Sequence, residues 1–152
     1  MARSFFDTSA LVKHYHAEAG TATVDRIIGA PGAELFIARL TLVETLSVFA
    51  IKVRTGAFDP PEFARLRGLF ATHVARQRYQ VVRLLNTHYD RAQDLVTSYG
   101  LTRQIRTLDA LQLAVALHLH QMAPIEHFVC ADQRLCSIAA LEGLAVLNPE
   151  LS

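Results

Sequence analysis

Arg3-Ser4-Phe5-Phe6-Asp7-Thr8-Ser9-Ala10-Leu11-Val12-Lys13-His14-Tyr15 decides the fold class. The aromatic pair reads as the end of a short buried strand, and Thr8 and Ser9 open an apolar run with helical spacing. Asp7 therefore falls where strand becomes helix. In an open α/β sheet the carboxyl ends of parallel strands meet the N-termini of the following helices, so an acid there faces a crevice while its strand stays buried.

Working outward, the same alternation repeats. Helical pieces are expected over Ala10 to Tyr15 and Thr21 to Ile28, then a strand over Glu34 to Ala38 after the Ala30-Pro31-Gly32 break. Thr41 starts a long helix running to Gly56, whose apolar residues nearly encircle it, so burial on all sides is expected. Asp59-Pro60-Pro61-Glu62 opens another helix with proline in its first turn. Tyr79 to Leu84 reads as a strand, Thr87 to about Tyr99 as a helix, and Thr107 as the cap of a helix that ends before Pro124. His127 to Ala131 is a strand ending near Asp132, a helix stops at Gly143, and Leu144 to Leu147 is a last strand. Strand–helix alternation without an internal repeat predicts one three-layer α/β/α domain over residues 1–152, built on a central parallel sheet.

Composition narrows the classes. The 152 residues are 51% hydrophobic and 19% charged, against roughly 25% charged in a typical domain, which favours a partner or a dimer. Apolar runs around Gln112 fall far short of the ~20 residues that span a bilayer, and no secretory signal is read, so a cytoplasmic place is expected. Cys130 and Cys136 sit in apolar sequence, as buried reduced thiols do, and their surroundings lack the ligand spacing of a zinc site. A net charge of +1 means that any nucleic-acid contact must come from local arginines.

Four acids suit one crevice: Asp7 ends the first strand, Asp132 the fourth, Asp109 lies in the first turn of its helix, and Glu44 in the first turn of the long helix. Singly, the three aspartates are explained as helix caps or partners of a helix dipole, for roughly 0.5–1 kcal/mol each. Glu44 has no cation within a turn of its own helix, so as a buried carboxylate it needs a tertiary partner or a metal. Together the acids would repel one another without hard divalent cations, which their oxygen ligands suit. The pairs His14/His16 and His118/His120 put their rings on different helix faces and read as surface or partly packed residues.

The stretch Phe6-Asp7-Thr8-Ser9, the run Leu42-Val43-Glu44, Arg106-Thr107-Leu108-Asp109-Ala110 and Phe128-Val129-Cys130-Ala131-Asp132 together resemble PIN-domain ribonucleases of the VapC toxin type, over nearly the whole chain. The resemblance implies that Asp7, Glu44, Asp109 and Asp132 form an acidic site holding one or two Mg²⁺ or Mn²⁺ ions, supported by Ser9. It implies metal-assisted hydrolysis of RNA, a homodimer, and a cognate antitoxin lying over the active-site groove. Lys13, Arg39, Arg106 and Arg134, near the acids, are candidate phosphate contacts. Two features depart from the family pattern. Cys130 replaces a hydroxyl and is expected to loosen the surroundings of the fourth acid, and the Gly100 to Ile105 segment is longer than usual. The competing reading is a PIN-like domain of weak or absent activity that works by binding a partner protein. A phosphorylatable receiver domain is excluded, since Asp7 stands without an acidic neighbour and no lysine follows the last strand.

Overall fold

The computed structural model describes residues 2–151. Five strands, β1 (Arg3–Phe6), β2 (Glu34–Ala38), β3 (Gln80–Val82), β4 (His127–Val129) and β5 (Val146–Leu147), form one sheet in the order β3-β2-β1-β4-β5. Every pairing is parallel, with Phe5 opposite both Phe36 and Phe128. Parallel neighbours require crossover helices, and these are α1 (Thr8–Leu11), α2 (Thr21–Gly29), α3 (Leu40–Arg54), α4 (Pro60–Ala75), α5 (Asn86–Tyr99), α6 (Thr107–Met122) and α7 (Gln133–Leu141).

Side chains that alternate along each strand divide the core between the two faces of the sheet. Phe5, Phe36, Ala38 and Phe128 pack with residues of α5, α6 and α7, while Phe6, Leu35, Ile37 and Val129 pack with α1, α2, α3 and α4. This is the expected three-layer α/β/α arrangement. The chain builds outward from β1 through β2 to β3, then crosses to β4 and builds the other way. The order reverses between β1 and β4, which places a crevice at their carboxyl ends.

Several local expectations change. The long helix is not buried all round: only Thr41, Thr45 and Phe49 are, at i, i+4 and i+8, whereas Val43 is 72% and Ile51 44% exposed. The helix enclosed by core is α6, buried without a break from Ala110 to Leu117. Because α3 begins at Leu40, Glu44 sits in its second turn rather than its first. Thr107 is the first residue of α6, not its cap; Arg106 occupies the cap position without a capping side chain. The segment after Asp7 is α-helical only to Leu11, then tightens into a 3₁₀ turn over Val12–His14. The strands β3, β4 and β5 are shorter than their apolar runs, since β propensity marks a half-buried extended segment and not where its ladder partners end.

Gly20 holds the entry to α2 at φ +90°, and a Cβ there would lie 3.0 Å from the backbone of Pro149. Gly68, inside α4, has open space where its Cβ would be. Gly20→Ala is expected to cost about 1–3 kcal/mol through left-handed strain and the clash, and Gly68→Ala to add about 0.5–1 kcal/mol by relieving helix entropy. Urea unfolding of the two variants checks the opposite signs.

Candidate active site

The carboxyl end of β1 is tied to β4 by the Asp7 amide, which donates to the Val129 carbonyl at 2.9 Å. Asp7 then caps α1: its Oδ2 accepts from the Ser9 amide at 3.2 Å and from Ser9 Oγ at 2.5 Å. Ser9 Oγ also accepts from the Ala131 amide at 3.0 Å. One hydroxyl thus joins the acid after β1 to the loop after β4. Across that junction Asp132 caps α7, its Oδ1 accepting from the Arg134 amide at 2.9 Å and the Leu135 amide at 3.4 Å. The capping that explains each aspartate singly is present for both, and it orients their carboxylates toward the same crevice.

Asp109 and Glu44 arrive from opposite layers, on α6 and α3. With Asp7 and Asp132 they line one cleft of about 600 Å³, together with Ser9, Thr8, Arg106 and an apolar wall of Val43, Val48, Ile51 and Leu108. Glu44 is half-buried and has no cationic partner among the described residues. Its Oε1 accepts from Thr8 Oγ1 at 2.8 Å and from Gln112 Nε2 at 2.8 Å. The same amide nitrogen lies 2.7 Å from Thr41 Oγ1 and 3.1 Å from Thr8 Oγ1. Gln112 is fully buried, its nitrogen held by these acceptors and its Oε1 left without a partner among the described residues.

Sequence reasoning missed this Thr8–Thr41–Gln112 bracket. Its signals were present: Gln112 is a polar break in an apolar run, three residues after Asp109 and so near its helix face, and Thr41 stands three residues before Glu44.

Arg106 lies across the cleft, with Nε 3.2 Å from Asp109 Oδ2 and Nη2 3.4 Å from Asp132 Oδ2. Its side chain is 70% exposed, so it neutralises the two acids while remaining free to swing out. Asp7 makes no ion pair among the described residues, and the Arg106 charge acts on it only at longer range. Its carboxyl is pushed up to about 6, first by burial and then by the charges of Asp109 and Glu44, against the two Ser9 hydrogen bonds.

The four carboxylates form an all-oxygen donor set of high negative charge, which fits Mg²⁺ or Mn²⁺. Among the described residues no three His, Cys, Asp or Glu side chains are arranged to hold a metal ion as they stand. Two of the acids, Asp109 and Asp132, are occupied by Arg106.

The other expected phosphate contacts are not in the cleft. Lys13 is buried, 3.1 Å from Glu18 and 3.6 Å from Glu150, and is withdrawn from any ligand. Arg39 is exposed at the start of α3, outside the cleft lining, and Arg134 lines a neighbouring cavity. Cys130 also acts elsewhere than expected. Its thiol is within hydrogen-bond reach of Asp7 Oδ2 at 3.7 Å, Ser9 Oγ at 3.8 Å and the backbone carbonyl of Asp132 at 3.5 Å, so it sits between the first and fourth acids. Its bond with Cys136, burial and the Asp7 charge push the thiol up. Cys136 is only half-buried, and both cysteines are free. The histidines are packed as expected: His14 pairs with Asp25, His16 with Lys52, His118 with His88, and His120 accepts from the Ile125 amide.

Comparison with known proteins gives one family and several folds. The PIN-domain family model matches residues 4–141. No curated protein matches the chain. Among solved structures the chain is similar to VapC20 of Mycobacterium tuberculosis, a toxin that cleaves the sarcin–ricin loop, at 16% identity and TM-score 0.68 over 96% of this chain and 99% of that one. It is similar to VapBC2 of Rickettsia felis bound to a promoter DNA fragment, at 12% identity and TM-score 0.64 over 96% and 98%. A toxin–antitoxin complex from Klebsiella pneumoniae matches at 16% identity and TM-score 0.59 over 96% and 97%. At these identities the likeness is one of fold.

Raising the Asp7 carboxyl from 3.8 to about 6 means that the folded chain binds more protons than the unfolded one between those values. Stability contributed at this group is therefore lost as pH rises from about 4 to about 6, and the full cost applies above. Asp7→Asn is expected to stabilise the fold by up to about 3 kcal/mol at pH 7.5 and by little at pH 3.5. Urea unfolding at the two pH values measures the difference; a gap independent of pH would refute it.

Proposed function

Since the chain belongs to the PIN-domain family, we propose that it is a metal-dependent endoribonuclease, the toxin component of a toxin–antitoxin pair. The observation that carries this reading is the meeting of four carboxylates from four separate elements in one cleft, where the strand order reverses. Asp7, Glu44, Asp109 and Asp132 would hold one or two Mg²⁺ or Mn²⁺ ions. Bound there, such a cation supplies Lewis acidity toward a phosphate oxygen and an activated water.

The chain's own residues do the rest. Ser9 fixes the direction of the Asp7 carboxylate, and its bond to the Ala131 amide fixes Ser9. Thr8 and Gln112 hold Glu44 by one oxygen and leave the other for the cleft. Arg106, the cation at the cleft mouth, neutralises Asp109 and Asp132 in the unliganded protein and is placed to meet an RNA phosphate once it swings away. Val43, Val48, Ile51 and Leu108 offer an apolar wall to the bases or to a covering segment. The same reading expects a homodimer, RNA as substrate, an antitoxin over the groove, and a cytoplasmic place. No helix among the described residues is long and apolar enough to cross a membrane.

The second reading, a PIN-like domain that works mainly by binding a partner, is favoured by the exposed Val43, Ile51 and Leu69 on α3 and α4 and by Arg106 occupying two of the acids. The two are separated by whether loss of an acid abolishes cleavage while association persists.

Purified protein is expected to cleave mixed cellular RNA with Mg²⁺ or Mn²⁺ and not with chelator, and Asp7→Asn or Asp109→Asn to reduce the rate by at least about 10²-fold with folding intact. Cleavage that survives both substitutions would locate the activity elsewhere; absence of cleavage under every metal would favour the partner-binding reading. Gln112→Leu is expected to weaken Mn²⁺ binding by about 10–100-fold, read by calorimetry, because Glu44 loses one of its two supports.

A further inference from the structure

Beside the acidic cleft lies a second cavity of about 330 Å³, lined by Arg103, Gln104, Gln133, Arg134 and Ser137. Its two walls flank two of the acids. Arg103 and Gln104 belong to the turn and loop that lead from α5 to Asp109, and the other three residues to the first turns of α7, which Asp132 caps. The segment is held in place: the amides of Thr102 and Arg103 donate to the Tyr99 carbonyl at 3.1 and 2.7 Å, and Ile105 packs on the core. Arg103 Nη1 reaches across to Ser137 Oγ at 3.2 Å.

No acidic side chain lines this cavity. The Arg134 guanidinium makes no ion pair or hydrogen bond among the described residues, and the Arg103 side chain bonds only a neutral hydroxyl. Two guanidinium groups facing one concavity leave a positive field that an anion completes, and their planar forks match phosphate oxygens. Gln104, Gln133 and Ser137 add side chains able both to donate and to accept, as the edge of an unpaired base requires. All five lining residues are exposed, so this is a shallow surface concavity, and its volume, at the low end of ligand pockets that run from about 300 Å³, matches one nucleotide. Arg106, two residues beyond Gln104 in sequence, lines the acidic cleft and adds a third guanidinium nearby.

We propose that this cavity is a subsite for single-stranded RNA, holding the phosphate and base of a nucleotide beyond the scissile bond on the Asp109–Asp132 side. The proposal rests on the nuclease reading above, and the segment before Asp109 is what carries Arg103 to α7.

The test uses a fluorescently labelled 12-nucleotide single-stranded RNA, with Asp7→Asn as the parent so that the probe survives. Anisotropy across salt concentrations should show that adding Arg103→Gln and Arg134→Gln weakens binding at least tenfold at 0.1 M salt. The slope of log affinity against log salt should flatten by about 0.7 for each phosphate that the variant no longer neutralises. The control pair Arg26→Gln and Arg67→Gln, which changes net charge equally at exposed positions away from both cavities, should leave the slope unchanged. An unmoved slope in the cavity pair, or an equal change in the control pair, overturns the subsite even if the wild type still binds and cleaves RNA. A retained RNA slope with lost binding of a poly-glutamate peptide assigns the cavity to an acidic protein partner instead. If neither parent binding nor wild-type cleavage of RNA is seen, the nuclease reading falls and the subsite with it.

Discussion

Burying the Asp7 carboxylate at the point where the sheet reverses its order is the constraint on which the rest of the site depends. A carboxylate with 5% of its surface exposed is expensive to keep charged, and the neighbouring charges of Asp109 and Glu44 add to the cost. The protein supplies two hydrogen bonds from Ser9, a weak one from the Cys130 thiol, and no ion pair. That is incomplete compensation, and the carboxyl answers by rising to about 6. Positive charge entering the cleft would relieve that cost.

The surrounding structure answers the same need in different ways at each acid. Asp132 uses one oxygen for the amides of α7 and keeps the other for Arg106. Asp109 shares that same guanidinium. Glu44 is held by neutral donors alone, through a fully buried amide and a threonine hydroxyl. A neutral bracket fixes the direction of the Glu44 carboxyl without pairing it with a cation. Arg106 does the reverse at an exposed position, where an ion pair is worth little and is readily exchanged. The arrangement therefore combines fixed supports deep in the fold with one movable cation at the mouth.

The basic residues divide along the same line. Lys13 is paired with Glu18 and Glu150 and is structural, while Arg103, Arg106 and Arg134 lie in sequence along the approach to α6 and the start of α7. With a net charge of only +1, the chain has little general attraction for nucleic acid, so local arginines must supply any such contact.

The sequence by itself determined the alternation of strand and helix, the parallel sheet, and the four acids, because each of these is written in local periodicity and in residues at strand ends. Phe5-Phe6-Asp7-Thr8-Ser9 carries the strand, its end and the helix start within five residues. Tertiary structure alone decided what lies across a gap. The burial of α3 on one side only follows from which helices cover it, so Thr41 and Thr45 went inward and Val43 outward against their hydropathy. Lys13 was close to the acids in sequence and yet paired elsewhere, since the 3₁₀ turn after α1 aimed it at Glu18. The Gln112 bracket, the reach of Arg106 to Asp132 and the Arg103–Ser137 hydrogen bond each join residues 26 to 104 positions apart that meet only when helices from different crossovers end at one crevice. Periodicity reports which face of an element is apolar; it holds no record of what that face will touch.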